Sequence, residues 1–184
     1  MKKLFFTMFV AFFTMIGSAQ ETQKVKTLSF AKVIEVENKS KNEIYSGLRI
    51  WIAENYKSAQ AVIQMEDKDA GIILVKALFS YEYGKLRYSA YTGHVDYTLK
   101  LQAKDGRFRA EMSNFTHTNK VGNAPNCSLG LITTAEEYTD KGMHKTFHNN
   151  VWNDIKKKAE AESLLIFLSL KGITNFTDDS SEDW

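Results

Sequence analysis

The chain has 184 residues, 24 Lys+Arg against 22 Asp+Glu, one cysteine and one proline. A single cysteine excludes an intramolecular disulfide, so stability must come from packing, and the length is enough for one hydrophobic core. Near-balanced charge argues against a general nucleic-acid binder, whose affinity comes from neutralising phosphates.

Lys2 and Lys3 precede an apolar run from Leu4 to Ile16, followed by Gly17, Ser18 and Ala19. This is the three-part pattern of a secretory signal, with cleavage expected after Ala19 or Gln20. The run is shorter than the roughly 20 residues a membrane-spanning helix needs. Residues 1–20 contain two lysines and no acid, so their removal leaves 22 charges of each sign. No cysteine lies near the cut to carry a lipid, and the expected location is periplasmic or secreted, as a soluble protein.

From Thr27 the chain alternates through Leu28, Phe30, Ile34 and Val36, which predicts a strand. Lys32 and Val33 interrupt the alternation and suggest a β-bulge. Ser40-Lys41-Asn42-Glu43 fits a capping box, and Ile44, Tyr45, Leu48, Trp51 and Ile52 then share one helical face. The helix should end near Tyr56 or Lys57. Ala61–Met65 reads as a short strand, 66–71 as a turn with Gly71 at positive φ, and Ile72–Tyr83 as a long strand. Leu86–Tyr91 suits a strand or an irregular edge.

Asp105-Gly106 lies between two alternating runs and predicts a two-residue hairpin turn. Closing the hairpin there pairs Lys104 with Arg107. Ala103, Leu101 and Leu99 then face Phe108, Ala110 and Met112, while Gln102, Lys100 and Thr98 face Arg109, Glu111 and Ser113. One face becomes core and the other polar, and a slip of one residue would destroy both.

Thr118–Thr146 shows little periodicity and predicts a long loop holding Cys127, read as a partly buried small residue. Phe147, Val151, Trp152, Ile155 and Ala159 mark a second amphipathic helix, continuing through Leu164–Leu168 and stopping before Gly172. Residues 172–184 form a tail, acidic from Asp178 onward and expected to be disordered. The predicted organisation is a signal over 1–20, one α+β domain over 27–171, and this tail. The order strand, helix, strands, helix predicts an antiparallel sheet of about five or six strands with both helices on one face and the other face open.

Phe30-Ala31-Lys32-Val33-Ile34-Glu35-Val36, then Ile44-Tyr45 with Trp51-Ile52, then Val62-Ile63 with Asp67-Lys68-Asp69-Ala70-Gly71-Ile72, together resemble an exported bacterial domain family of unknown function, common in Bacteroidetes. The resemblance spans roughly residues 28–116 and implies a TATA-binding-protein-like fold. The family has no catalytic motif, so the resemblance supplies no functional residues. Nor does it imply DNA binding, since a fold does not carry a function.

No phosphate-binding glycine loop or dinucleotide fingerprint is present, and no cofactor is expected. His144 and His148 have i, i+4 spacing, but the helix should start between them and the glutamate of H-E-x-x-H is absent. His117, Cys127, Glu136 or Asp140 would have to complete a metal set, and no metal ligand is assigned; the two histidines read as solvated. His94 and Asp96 share the polar face, as a surface pair would. The open face is the main candidate surface: Lys76, Lys100, Gln102, Lys104, Arg107 and Arg109 make it basic and rich in hydrogen-bond donors. The leading reading is a non-enzymatic binding or assembly module for an envelope protein, peptide or glycan, with no nucleic-acid partner and the 118–146 loop at the rim of the site. The competing readings are a hydrolase using His117, Cys127 or His148, and a structural dimer formed through Leu164–Leu168.

Overall fold

The structure is a computed structural model that describes residues 25–120, 122, 124–138 and 145–175. The expected signal, His144, Asp140 and the acidic stretch from Asp178 lie outside the described residues. The strands are β1 (Ser29–Glu35), β2 (Ile63–Asp67), β3 (Ile72–Tyr81), β4 (Gly93–Lys104), β5 (Arg107–Asn119) and β6 (Gly130–Leu131). The helices are α1 (Lys41–Asn55), the single turn α2 (Ala59–Val62) and α3 (Lys145–Leu170). The six strands form one antiparallel sheet in the order β1-β5-β4-β3-β2, and β6 joins β5 beyond the end of β1.

The β4–β5 hairpin has the register read from Asp105-Gly106: Lys104 opposes Arg107, Gln102 opposes Arg109, and Leu99 opposes Met112. Gly106 has φ +72°, the left-handed geometry the turn requires. Along β4 every odd residue from Gly93 to Ala103 is buried, and His94 to Gln102 on the even positions are half-buried. Helices cover the odd face, which carries Val95, Tyr97, Leu99 and Leu101 into the core. The register shifts between Asp96 and Thr98, where Asn114 takes φ +57°. Two residues of β5 there oppose one of β4, which is a β-bulge. The bulge reverses the phase of β5. Phe108, Ala110 and Met112 are buried before it, and Phe115 and His117 after it.

The capping box of α1 is complete. Glu43 N–H donates to Ser40 Oγ and Ser40 N–H donates to Glu43 Oε2 at 2.8 Å. These backbone and hydroxyl donors, with Lys39 beside them, hold the Glu43 carboxyl down at about 2. Ile44, Leu48 and Ile52 are at most 1 % exposed. Truncating a buried leucine such as Leu48 to alanine typically costs about 2–5 kcal/mol. In α3 a buried stripe of Val151, Ile155, Ala159, Phe167 and Leu170 packs into the same layer. The 3₁₀ turn Lys171–Asn175 follows, and Ile173 lies against Gly47 of α1.

Four local expectations need correction. β1 pairs with β5 without a register shift, so there is no bulge at Lys32-Val33. Lys32 is half-buried on the core side, where its aliphatic stem continues the apolar alternation, and Val33 therefore faces out, 52 % exposed. The segment expected to be a strand from Ala61 begins as α2, capped by Ser58, and becomes strand only at Ile63. Leu86–Tyr91 is a 3₁₀ helix, which buries Tyr88 and Tyr91 at i and i+3. The long connection after Thr118 holds a 3₁₀ turn, Pro125–Cys127, and β6.

Candidate functional site

The uncovered face of the sheet is built by the residues that alternate with the core. Pairing extends the rows across the strands. Ile72, Gln102, Arg109 and Val33 form one row, and Leu74, Lys100, Glu111 and Ala31 form the next. Lys104 and Arg107 close the hairpin end beside Glu35. All six residues read from the sequence as a surface therefore lie on this face, but they do not form one cluster. Gln102, Lys104, Arg107 and Arg109 line a shallow cleft of about 260 Å³, with Val33 as its apolar wall. Lys100 stands outside the cleft lining, opposite Glu111. Lys76 lies one row further on, opposite Thr98.

The face is less uniformly basic than its lysines and arginines suggest. Arg109 Nη2 meets Glu111 Oε2 at 2.9 Å, and Glu111 also faces Lys100 across the strand pair. Both partners are partly exposed, so the pair adds little stability; it fixes the guanidinium at the edge of the cleft. Lys104 and Arg107 are both exposed at the cleft. His94 Nε2 and Asp96 Oδ2 lie 3.5 Å apart on the same face, the surface pair expected. The sequence reading missed Val33, because Lys32 was counted as a break rather than as a stem packed on the core. It also passed over Leu78, 55 % exposed on β3. The signal available for Leu78 was its even-numbered place beside Leu74 and Lys76.

The residues assigned to the hydrolase reading sit on the other side of the sheet. His117 is 0 % exposed. Leu129 N–H donates to its Nδ1 at 3.2 Å, so Nε2 carries the proton and donates to the Tyr91 carbonyl at 2.9 Å. Burial pushes its pKa down. Both ring nitrogens are thus engaged by backbone, and the ring pins the connection after β5 to the sheet. His148 is not solvated, contrary to expectation. It is 3 % exposed, with its ring edge-on to Tyr91 and Tyr138 at 5.7 and 5.3 Å, because the first turn of α3 packs inward. Cys127 is half-buried as expected. Among the described residues no three His, Cys, Asp or Glu side chains are grouped to hold a metal ion, and no helix is long and apolar enough to cross a membrane.

The layering defines an α+β domain with a TBP-like fold, one sheet face clothed by helices and the other uncovered among the described residues. Residues 30–118 match the model of DUF4468, a domain of unknown function with TBP-like fold. The chain is similar to a crystal structure of a DUF4468 family protein from Bacteroides ovatus ATCC 8483. The TM-score is 0.56 at 17 % identity, covering 83 % of this chain and 89 % of that one. It is also similar to a crystal structure of a TBP-like protein from Parabacteroides distasonis ATCC 8503. There the TM-score is 0.52 at 16 % identity, covering 79 % and 93 %. At such identities the likeness concerns the fold alone. No curated protein matches the chain.

Proposed function

We propose that this chain is an exported, non-enzymatic binding or assembly module that docks an anionic or polar partner on its open sheet face. The partner classes that fit are a peptide, a glycan or another envelope protein. The observation that carries the reading is the cleft at the hairpin end, where Lys104, Arg107 and Arg109 surround Gln102 beside an apolar wall. Cations spread over a concave polar surface attract anionic groups, and Val33 offers contact that a purely solvated face would lack. The family description and the structural neighbours name no activity, so the site rests on this geometry.

The experiment is titration of the protein lacking residues 1–20 with hexaglutamate and with a neutral hexapeptide. The wild type should bind the acidic peptide more tightly, with affinity falling as salt rises. Lys104→Glu with Arg107→Glu should weaken binding at least tenfold. Equal binding by wild type and variant, or no preference for the acidic peptide, rejects the sheet-face site.

A further inference from the structure

β1 ends the sheet on the side that carries the basic cleft, and its outer edge continues that site. Its pairing with β5 runs from Ser29–Ser113 to Glu35–Arg107 without a shift, so the strand is regular along its whole length. The bonds at its two ends fix the direction of its backbone groups. Leu28 N–H donates to the Ile132 carbonyl at 3.1 Å, and Val36 N–H donates to the Gly106 carbonyl at 2.8 Å. Both acceptors lie on the side of β5 and β6. Alternate residues of a strand turn their backbone groups the same way. The even residues from 28 to 36 therefore bond inward, and Ser29, Ala31, Val33 and Glu35 turn N–H and C=O outward. All four are exposed.

Among the described residues nothing bonds to these outward groups. The opposite edge of the sheet is different. β2 is broken by a register shift between Ile63 and Met65 and ends in Glu66 and Asp67, with Glu66 Oε2 held 3.3 Å from Arg49 Nε. Bulges and charges keep a strand edge from pairing, and β1 has no bulge. The outward residues of β1 also share the open face with the cleft. Val33 is its apolar wall, in one row with Arg109 and Gln102, and Glu35 shares the next row with Arg107 and Lys104. On the other face β1 carries Phe30, Lys32 and Ile34.

We infer that β1 takes up an extended acidic peptide as an added antiparallel strand. The inference rests on the basic cleft being the docking site, and it names the partner and how its backbone is held. In an antiparallel pair, residues that exchange both hydrogen bonds stand directly opposite, with their side chains on one face. Peptide residues bonded to Ala31 and Val33 therefore project on the open face, about 4.8 Å beyond β1. Acidic side chains there lie beside Val33 and extend over it toward Arg109 and Arg107. The intervening residues fall beside Phe30, Lys32 and Ile34, where β-branched side chains suit the pleat. The main-chain bonds give affinity, and the alternate acids give selectivity.

The probe is a blocked heptapeptide alternating threonine and glutamate, with threonine at both ends, titrated into the same protein as for the cleft. N-methylation of its glutamates removes the N–H groups that face β1 and should weaken binding at least tenfold. N-methylation of the threonine after each glutamate alters N–H groups that face solvent and should leave binding within about twofold. Ala31→Pro removes one outward donor but none of the bonds to β5, so its thermal midpoint should stay near that of the wild type while binding falls at least fivefold. If that variant does not fold, the two methylated peptides still decide the matter on the wild type. Equal losses from the two methylations, losses confined to the threonine series, or no binding of the parent peptide overturn the inference. So does a wild-type dimer that Ala31→Pro dissociates, since a second copy then holds the edge. If Lys104→Glu with Arg107→Glu weakens binding while methylation has no effect, the cleft stands and the edge inference fails. If methylation of the glutamates weakens binding while that charge reversal does not, the edge pairing stands and the cleft reading fails.

Discussion

Acidifying the protein from pH 7.5 to pH 5.0 should destabilise it through His117. The imidazole is fully buried, accepts from Leu129 N–H at Nδ1 and donates to the Tyr91 carbonyl from Nε2. Burial is the main cause of its lowered pKa, opposed by the bond to Tyr91 and reinforced weakly by His94. The unfolded chain takes up this proton near pH 6.5 and the folded chain resists it, so stability is level above pH 6.5 and falls below it. While the folded-state pKa lies below the working pH, the loss per unit of acidification approaches at most about 1.4 kcal/mol. Protonation of Nδ1 also removes the acceptor for Leu129 N–H, so the connection after β5 should loosen first. Denaturant midpoints at successive pH values measure the global term, and amide exchange at Leu129 measures the local one. Wild type is compared with His117→Gln, which keeps a donor and an acceptor but cannot take the proton. If the variant loses as much stability as the wild type between pH 6.5 and 5.0, or if Leu129 exchange shows no pH-linked step, the argument fails.

Two other outcomes follow from the fold and its setting. A Cβ added at Gly93 would sit 2.0 Å from the Thr118 carbonyl oxygen, on the adjacent strand. Gly93→Ala should therefore cost on the order of 1–3 kcal/mol by forcing β4 and β5 apart, read as a lowered thermal midpoint; an unchanged midpoint would show that the backbone yields freely. The export reading predicts that protein recovered from the periplasm or medium of a bacterial host begins after Ala19 or Gln20, seen by intact-mass measurement, and recovery only of uncleaved chain refutes it.

Much of the architecture was legible because it depends on near neighbours in sequence. The capping box at Ser40 and the spacing of Leu48, Trp51 and Ile52 specify α1 within one turn. Asp105-Gly106 specifies a register that every cross-strand pair from Lys104–Arg107 to Thr98–Ser113 obeys. The bulge in β5 leaves a local signal too. Apolar residues occupy even positions up to Met112, and the next one, Phe115, falls on an odd position, so the phase change near Asn114 leaves a trace in the chain. The supposed bulge at Val33 came from treating a lysine as wholly polar. Histidine roles were not legible: His117 and His148 look alike in a polar stretch, and only the packing of Tyr81, Tyr91 and Leu129 turns His117 into a neutral core residue.

The sequence by itself determined the two long helices, the hairpin and the division of β4 into a buried and an open face. Each of these is a periodic pattern read over a few residues, and the physics that produces it acts over the same span. Tertiary structure alone decided where the concavities lie. The basic cleft exists because β1, some seventy residues upstream in the chain, pairs with β5 and sets Val33 beside Arg109. In the same way α3 returns to α1, so that Ser169 bonds to Trp51 across 118 positions. Neither contact leaves a local pattern. Each depends on which hydrophobic faces must be covered together, and that is settled only when the whole core closes.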